Sequence, residues 1–354
     1  MSILDKIKKN SSIKESAILS QSKFFIDKDM IPTSVPAVNI ALSGSLDGGL
    51  TPGLTMWAGP SKHFKTAFSL LMAKSYLDKY PESALLFYDS EFGTPQSYFD
   101  SFGIDTKRVL HTPLTDIEQL KFDVMQQLTQ LDRNDKLIII IDSIGNLASK
   151  KEIEDALAEK SVADMTRAKQ VKSLFRMVTP HLNLKDIPMI VVNHTYMEIG
   201  MFPKAIVGGG TGSYYSADNI FIIGRQQEKE GTEIVGYNFI INVEKSRYVK
   251  EKSKIPVTVT AKGGISRWSA LLDIALESGH VIKPTNGWYS RVNTETGEIE
   301  EKKWRVKDTD SKVFWDPILE DAKFKEFVES KYRISHSDII QDEVIADAFG
   351  ENDD

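Results

Sequence analysis

The sequence predicts an α/β protein built on a mostly parallel, twisted sheet, and three observations predict it. Short apolar runs alternate with helical stretches through the first half of the chain. The run at 54–58 leads directly into Gly59-Pro60-Ser61-Lys62-His63-Phe64-Lys65-Thr66 and then a helical pattern, and the run at 137–141 ends on an acid, Asp142. Apolar strands with helices between them belong to parallel sheets covered on both faces. With 354 residues, 41% of them hydrophobic, the chain has room for one large α/β domain and small appendages.

In order along the chain, residues 1–30 read as a charged helix followed by an extended segment, Ser22-Lys23-Phe24-Phe25-Ile26. Strand candidates follow at 54–58, 84–88, 136–141, 188–192 and 219–223. Two later runs, 237–243 and 255–260, have no room for a helix between them and predict an antiparallel extension of the sheet. After Gly263-Gly264 the texture changes to short helices and a Trp-rich stretch. The expected division is an N-terminal segment (1–30), an α/β core (31–265), a small C-terminal α/β domain (266–340) and an acidic tail (341–354). That tail carries six carboxylates and no Lys or Arg from 341 to 354, a composition typical of a solvated end.

Composition narrows the chemistry. There are no cysteines, which removes disulfides, thiolate metal sites and cysteine nucleophiles. No apolar run approaches the roughly 20 residues that span a bilayer, and Met1-Ser2-Ile3-Leu4-Asp5-Lys6 has no secretory core, so an intracellular protein without a membrane partner is expected. The net charge of −6 gives no global attraction to nucleic acid, so any such site must be a local basic patch.

The segment from Gly59 to Thr66 has the placement of a phosphate-binding loop. Its backbone N–H groups and the helix N-terminus would cradle phosphates, Lys65 would reach the β/γ oxygens, and the Thr66 hydroxyl would bind Mg²⁺. One position departs from the G-x-x-x-x-G-K-[ST] pattern: Phe64 stands where the second glycine is usual. Asp142, closing an apolar strand, suits the carboxylate that helps hold Mg²⁺ on a nucleotide. Hydrolysis also needs an acid to orient or deprotonate water, and Glu91, ending Leu85-Leu86-Phe87-Tyr88-Asp89-Ser90-Glu91, is the candidate. Asp89 competes for that role, and a helix-capping use of Asp89 or Ser90 is the ordinary alternative.

Taken in order, these pieces resemble the RecA family: the phosphate loop, a strand ending in Glu91, the strand ending in Asp142, then Val191-Val192-Asn193-His194 and a glycine-rich loop. Within that family the chain is similar to bacteriophage UvsX recombinases. The phrases Leu86-Phe87-Tyr88-Asp89-Ser90-Glu91-Phe92-Gly93 and Asp142-Ser143-Ile144-Gly145-Asn146-Leu147-Ala148-Ser149-Lys150-Lys151 carry the likeness, which runs from about residue 22 to about 320. UvsX-like proteins also tolerate an aromatic at the Phe64 position.

The resemblance implies a RecA-type fold and a recombinase that uses ATP and Mg²⁺. It implies filaments on single-stranded DNA and pairing with duplex DNA, with a recombination mediator and a single-strand-binding protein as partners, in the cytoplasm of an infected bacterium. It also implies residue roles. Tyr98 would stack on adenine, and His194, where RecA itself carries glutamine, would sense the γ-phosphate and relay to a DNA loop. Lys245 and Arg247 would reach the nucleotide of a neighbouring subunit. One DNA loop would lie near 149–163 with Lys150, Lys151 and Lys160. A second, near 196–211, would present Met197, Ile199, Met201, Phe202 and Lys204, with Gly208, Gly209 and Gly210 for freedom to reorganise. Gly287-Trp288-Tyr289-Ser290 resembles a segment of the small C-terminal domain.

Two other classes compete: a RecA-core motor such as a replicative helicase, and a mediator that binds nucleotide without turnover. The chain lacks an added DNA-loading domain of the first, and the set Lys65, Thr66, Glu91, Asp142, Lys245 and Arg247 argues against the second.

Overall fold

A computed structural model describes residues 2–22, 29–159, 165–198, 204–230, 233–260 and 264–335. After the short helix α1 (Ile3–Asn10) and a buried helix α2 (Pro36–Ser43), an α/β series builds the sheet. It runs β1 (Gly53–Ala58), α3 (Lys65–Lys79), β2 (Ala84–Asp89), α4 (Gln96–Ser101), β3 (Val109–Pro113), α5 (Ile117–Gln130), β4 (Leu137–Asp142), α6 (Lys150–Leu157), α7 (Thr166–Leu184) and β5 (Pro188–Asn193). A small hairpin, β6 (Thr195–Met197) with β7 (Ala205–Val207), and α8 (Thr211–Ser216) precede three long strands. These are β8 (Asn219–Glu230), β9 (Glu233–Lys245) and β10 (Lys254–Thr260).

The eight-stranded sheet has the order β10-β9-β8-β1-β5-β4-β2-β3. Every pairing from β8 to β3 is parallel, and β8–β9 and β9–β10 are antiparallel. The expected antiparallel extension is therefore present. The strand period of two sorts the apolar residues onto the two faces. Ile138, Ile140, Trp57, Phe87 and Phe221 pack with α2 and α3 on one side. Ile139, Ile141, Met56, Tyr88 and Met189 pack with α5 and α7 on the other. Both faces being covered explains why these strands read as continuous apolar runs.

The C-terminal region adds α9 (Leu271–Glu277), a three-stranded antiparallel sheet of β11 (Val281–Thr285), β12 (Trp288–Arg291) and β13 (Trp304–Arg305), and the helices α10 (Lys312–Glu320) and α11 (Ala322–Tyr332). Its Leu271, Phe314, Trp315 and Phe324 join the same apolar cluster as α2 and β10. No helix among the described residues is long and apolar enough to cross a membrane.

The expected charged N-terminal helix is present at Ile3–Asn10; Ser11 closes it in an extended conformation, and turns with a single 3₁₀ turn (Leu19–Gln21) follow. One expectation needs correction. The stretch predicted as the first DNA loop is largely the helix α6, started by a capping box in which Ser149 and Glu152 exchange hydrogen bonds. Phe24, Phe25, Ile26, Lys160, Ile199, Met201, Phe202 and the whole acidic tail lie outside the described residues.

Candidate nucleotide site and nucleic-acid loops

Four parallel strands deliver chemistry to one edge of the sheet. Gly59 follows β1, Glu91 follows β2, Asp142 ends β4 and His194 follows β5. Ligands of open α/β sheets bind at this carboxyl edge. Glu91, Asp142 and His194 line one cavity of about 350 Å³ together with Ser61, Lys62, His63, Phe64, Lys65, Thr66 and Tyr98.

The loop between β1 and α3 is held by the side chain that closes it, Lys65. The buried Lys65 ammonium curls back and donates to the carbonyls of Gly59 (3.0 Å) and Pro60 (2.8 Å). Burial pulls its pKa down, while Glu91 and Asp142 pull it back up. Gly59 has φ +156°, and a Cβ there would stand 3.1 Å from the carbonyl oxygen of Ile223.

Phe64 adopts a left-handed conformation, φ +62°, as does Lys62 at +61°. That explains why a glycine is usual at position 64: a side chain there costs about 1–2 kcal/mol. The ring offsets this cost by stacking on Phe239 (centroids 5.0 Å apart, 24° between planes) and meeting Phe68 edge-on at 6.0 Å; such pairs contribute about 0.5–1.5 kcal/mol each.

Across from the loop, the Thr66 hydroxyl donates to Asp142 Oδ2 at 2.6 Å. Asp142 is 3% exposed, and its Oδ1 has no hydrogen-bond partner. Burial is the main reason its pKa rises to about 6; Glu91 and Asp89 add to the rise, and Thr66 and Lys65 oppose it. An orphaned, buried carboxylate oxygen beside a threonine hydroxyl is a donor set for a hard divalent cation.

Glu91 Oε1 lies 2.9 Å from His194 Nε2. That contact is the largest of the causes that bring the Glu91 pKa down to about 2, with Ser143, His194's charge and Lys65 assisting against partial burial. Asp89 has a different job. Its Oδ1 accepts from the backbone N–H groups of Glu91 (3.0 Å) and Phe92 (2.7 Å), folding the turn that presents Glu91. It caps no helix, since α4 begins after Pro95.

Sequence reasoning missed three supporting residues. Ser90 and Ser143 bond reciprocally across β2 and β4, Ser90 Oγ to the Ser143 carbonyl at 2.6 Å and Ser143 N–H to Ser90 Oγ at 3.1 Å. Gly145 leaves room for the His194 ring, since a Cβ there would be 2.5 Å from His194 Cδ2. The unusual run Asp142-Ser143-Ile144-Gly145, small residues just after a strand, was the available signal.

Tyr98, on α4, lines the cavity half-buried, edge-on to Phe102 at 5.5 Å. His194 also ties the cavity to the glycine loop. Its carbonyl accepts from Gly208 N–H at 2.9 Å, and Asn193 Nδ2 donates to the Gly208 carbonyl at 2.8 Å. Gly209 (φ +91°) and Gly210 (φ +73°) follow in the left-handed region. Met197, 59% exposed, ends β6, and exposed Lys204 precedes β7. Lys150 is exposed at the start of α6, and Lys151 pairs with Asp155 at 2.8 Å.

Lys245 and Arg247 are not at this cavity. Lys245 Nζ donates to the Tyr214 carbonyl at 2.7 Å, and Arg247 pairs with the buried Asp218, whose other oxygen accepts from Leu54 N–H at the start of β1. Leu54 and Gly59 lie at opposite ends of one strand, roughly 17 Å apart for five extended residues.

A RecA-type core is the class this arrangement defines, and the comparisons agree. A model of the RecA N-terminal domain matches residues 2–266, and one of the C-terminal domain of the bacteriophage T4 recombination and repair protein matches residues 268–328. The chain belongs to the RecA family of recombination and repair proteins. It is 52% identical over 343 residues to the recombination and repair protein of Enterobacteria phage T4, covering 95% of this chain and 88% of that one. It is 26% identical over 300 residues to protein RecA of Bacteroides thetaiotaomicron, covering 83% and 87%. With protein RecA of Streptomyces rimosus it shares 26% over 277 residues, covering 77% and 71%.

Proposed function

We propose that this recombinase is a DNA-dependent ATPase that assembles as a helical filament on single-stranded DNA and pairs it with homologous duplex. The observation that carries the reading is the convergence of Lys65, Thr66, Glu91, Asp142 and His194 on one cavity, with His194 hydrogen-bonded through its backbone to Gly208.

Lys65 would exchange its two carbonyl acceptors for β/γ-phosphate oxygens, and Tyr98 would take the base. Asp142 and Thr66 are the residues that would hold Mg²⁺, which supplies charge neutralisation on the phosphates. Glu91 orients water for attack. A carboxylate held near 2 is a weak base, so the His194 contact keeps it in a resting form. A phosphate oxygen competing for His194 Nε2 would release Glu91, raise its pKa, and shift His194 and the glycine loop bonded to it.

Lys245 and Arg247, a strand's length away, serve the neighbouring subunit's nucleotide as arginine-finger-type cations. Lys150, Lys151, Lys160 and Lys204 contact DNA phosphates, and Met197, Met201 and Phe202 wedge between bases, backbone-directed binding that needs no sequence readout. Helix α1 buries none of its residues, leaving Ile3, Leu4 and Ile7 exposed at 74, 55 and 62%, which fits docking of the 1–30 segment on the next subunit. Residues 31–265 act as the ATPase core and 266–340 as a small C-terminal domain that captures duplex. The working compartment is the cytoplasm of an infected bacterium, with a mediator and a single-strand-binding protein as partners.

ATPase assays with and without single-stranded DNA, run beside filament imaging, test this. DNA-stimulated turnover together with filaments is expected. Nucleotide binding without turnover would favour a mediator, and turnover with strand unwinding but no filaments would favour a motor.

A further inference from the structure

We infer that the β8–β9 hairpin is a latch on the phosphate loop: Phe239 and Arg225 are positioning residues that hold Lys62, His63 and Phe64 in the shape that binds nucleotide. The inference rests on the nucleotide-site reading above.

Three contacts from one hairpin face reach three successive loop residues. Arg225 and Phe239 are directly paired across the two strands, and Tyr237 lies two residues from Phe239, so all three share a face. Arg225 Nη1 donates to the Lys62 carbonyl at 3.4 Å, and its guanidinium sits over the Tyr237 ring at 5.2 Å. The Phe239 ring meets His63 edge-on at 6.5 Å and stacks on Phe64 at 5.0 Å. Behind Phe64 the rings continue inward through Phe68, Trp57 and Phe221, so the loop is bound to α3, β1 and β8 at once.

The loop needs such a hold because two of the residues in contact with the hairpin are in conformations their side chains disfavour. Lys62 and Phe64 both have positive φ, a region that a residue with a Cβ visits only when its surroundings insist. A glycine at position 64 would occupy this conformation unaided. Here the aromatic stack does the work that glycine does in the usual pattern. A loop that spends less time in its binding shape shows a weaker apparent affinity in proportion, so loss of the latch should weaken nucleotide binding ahead of catalysis.

The test is equilibrium binding of a fluorescent ATP analogue with Mg²⁺ to the full chain, with thermal melting as a check on folding and steady-state kinetics alongside. Phe64→Ala keeps the strained Cβ and removes the stack; it should bind about 2–10-fold more weakly than wild type, the factor one aromatic pair supplies. Phe64→Gly removes the strain as well, and should bind more tightly than Phe64→Ala. Phe239→Leu, which keeps the hairpin core filled, should lose affinity in the wild-type background and lose none further in the Phe64→Gly background. Each loss should appear in KM, with kcat largely retained.

Equal losses from Phe239→Leu in both backgrounds would overturn the latch, because a general weakening of the hairpin does not depend on residue 64. Wild-type binding by Phe64→Ala would overturn it too. Lys65→Ala separates this from failure of the site itself. If Lys65→Ala loses nucleotide while the phenylalanine variants do not, the phosphate loop stands and the latch falls. If Lys65→Ala binds as wild type, the nucleotide site itself is misplaced.

Discussion

The two ends of β1 carry two half-finished pieces of chemistry that differ in how they are satisfied. At the carboxyl end, Thr66 bonds to Asp142, Glu91 bonds to His194 and Lys65 bonds to the Gly59 and Pro60 carbonyls, all around one cavity, and Asp142 Oδ1 has no hydrogen-bond partner. At the amino end, Lys245 is bonded to the Tyr214 carbonyl and Arg247 is paired with buried Asp218, but the Arg247 side chain is 63% exposed and faces no acid of a nucleotide site. The first end is a lined cavity. The second is a pair of cations held by their own chain, one on a carbonyl and one on a buried carboxylate. The difference teaches that a complete hydrolytic site, under the proposed reading, needs the carboxyl end of one subunit and the amino end of the next.

The sharpest way to break that comparison is to separate the ends into different molecules. Arg247→Ala should depress DNA-stimulated hydrolysis strongly, up to about 10³–10⁵-fold where such a cation acts on the transferring phosphate. Glu91→Gln should keep ATP bound and stall turnover. Mixing the two inactive variants places the intact Arg247 of one beside the intact Glu91 of the other, and some activity should return. Mixed filaments with no activity at any ratio would assign the pair to something other than the neighbour's nucleotide. Lys65→Ala attacks the carboxyl end alone; about 10²–10³ in turnover should be lost, and no partner variant should restore it to that subunit's own site. Asp89→Asn should cost less than Glu91→Gln, since it weakens the turn that presents the acid and leaves the acid itself. The reverse ranking would mean the two carboxylates have been assigned the wrong way round.

The two ends were not equally legible in the sequence. The strands that build the carboxyl end are short apolar runs, and β1, β2, β4 and β5 fall where those runs stand. Strand β3 was missed because it is a sheet edge. Leu110 is 59% exposed and His111 is exposed as well, so Val109-Leu110-His111-Thr112-Pro113 carries no buried pattern. Strands β8 and β9 were seen only in part. Beyond Ile223 the chain runs through exposed Arg225, Gln226, Gln227 and Glu228, and nothing in such a run announces a strand. That unseen half of the hairpin includes Arg225, one of the contacts on the phosphate loop.

Contacts between distant positions were illegible for a different reason. Glu91 and His194 are 103 residues apart, and Leu54 and Asp218 are 164 apart; only the folded sheet brings them together. The left-handed turn at Phe64 was half visible. The pattern asks for glycine there, so Phe64 stood out as a departure, but the ring it stacks on belongs to β9.

Asp142 sharpens the comparison through stability. Its folded pKa, about 6, is above the model-peptide value of 3.8, so the folded chain holds this proton more tightly than the unfolded one. The stabilisation this gives is fully present below about 3.8 and is lost as pH rises through about 6. At pH 7.5 Asp142→Asn should therefore stabilise the nucleotide-free protein, by at most about 3 kcal/mol for a shift of about two pKa units, while abolishing Mg²⁺-dependent turnover. The stabilising effect should fade on acidification toward pH 4, where wild-type Asp142 is itself neutral. Mg²⁺-nucleotide affinity should fall over the same range, because the proton competes with the cation for the carboxylate. Thermal melts of both proteins across this range measure it; a variant that melts lower at pH 7.5 would mean the buried carboxylate is stabilising and not merely waiting for a cation.

The smallest expected effect concerns the DNA face and depends on one ion pair. Binding to single-stranded DNA should weaken steeply with salt despite the net charge of −6, because each lysine on a phosphate releases condensed counterions. The two lysines that open α6 should not contribute equally. Lys150 is exposed, and its described hydrogen bond is made by its backbone N–H, to Glu118. Lys151 Nζ is 2.8 Å from Asp155 one helical turn on, so part of its charge is already answered inside the chain. Lys150→Ala should reduce the slope of log affinity against log salt by about 1, and Lys151→Ala by less. Asp155→Asn removes this ion pair without touching a lysine, so it should steepen the slope. Equal slopes for the two alanine variants, with no change in Asp155→Asn, would mean that α6 rearranges on DNA and that the ion pair of the free chain does not persist in the filament. A slope unchanged in all three would remove the start of α6 from the DNA face and leave Lys204 and the glycine loop to carry it.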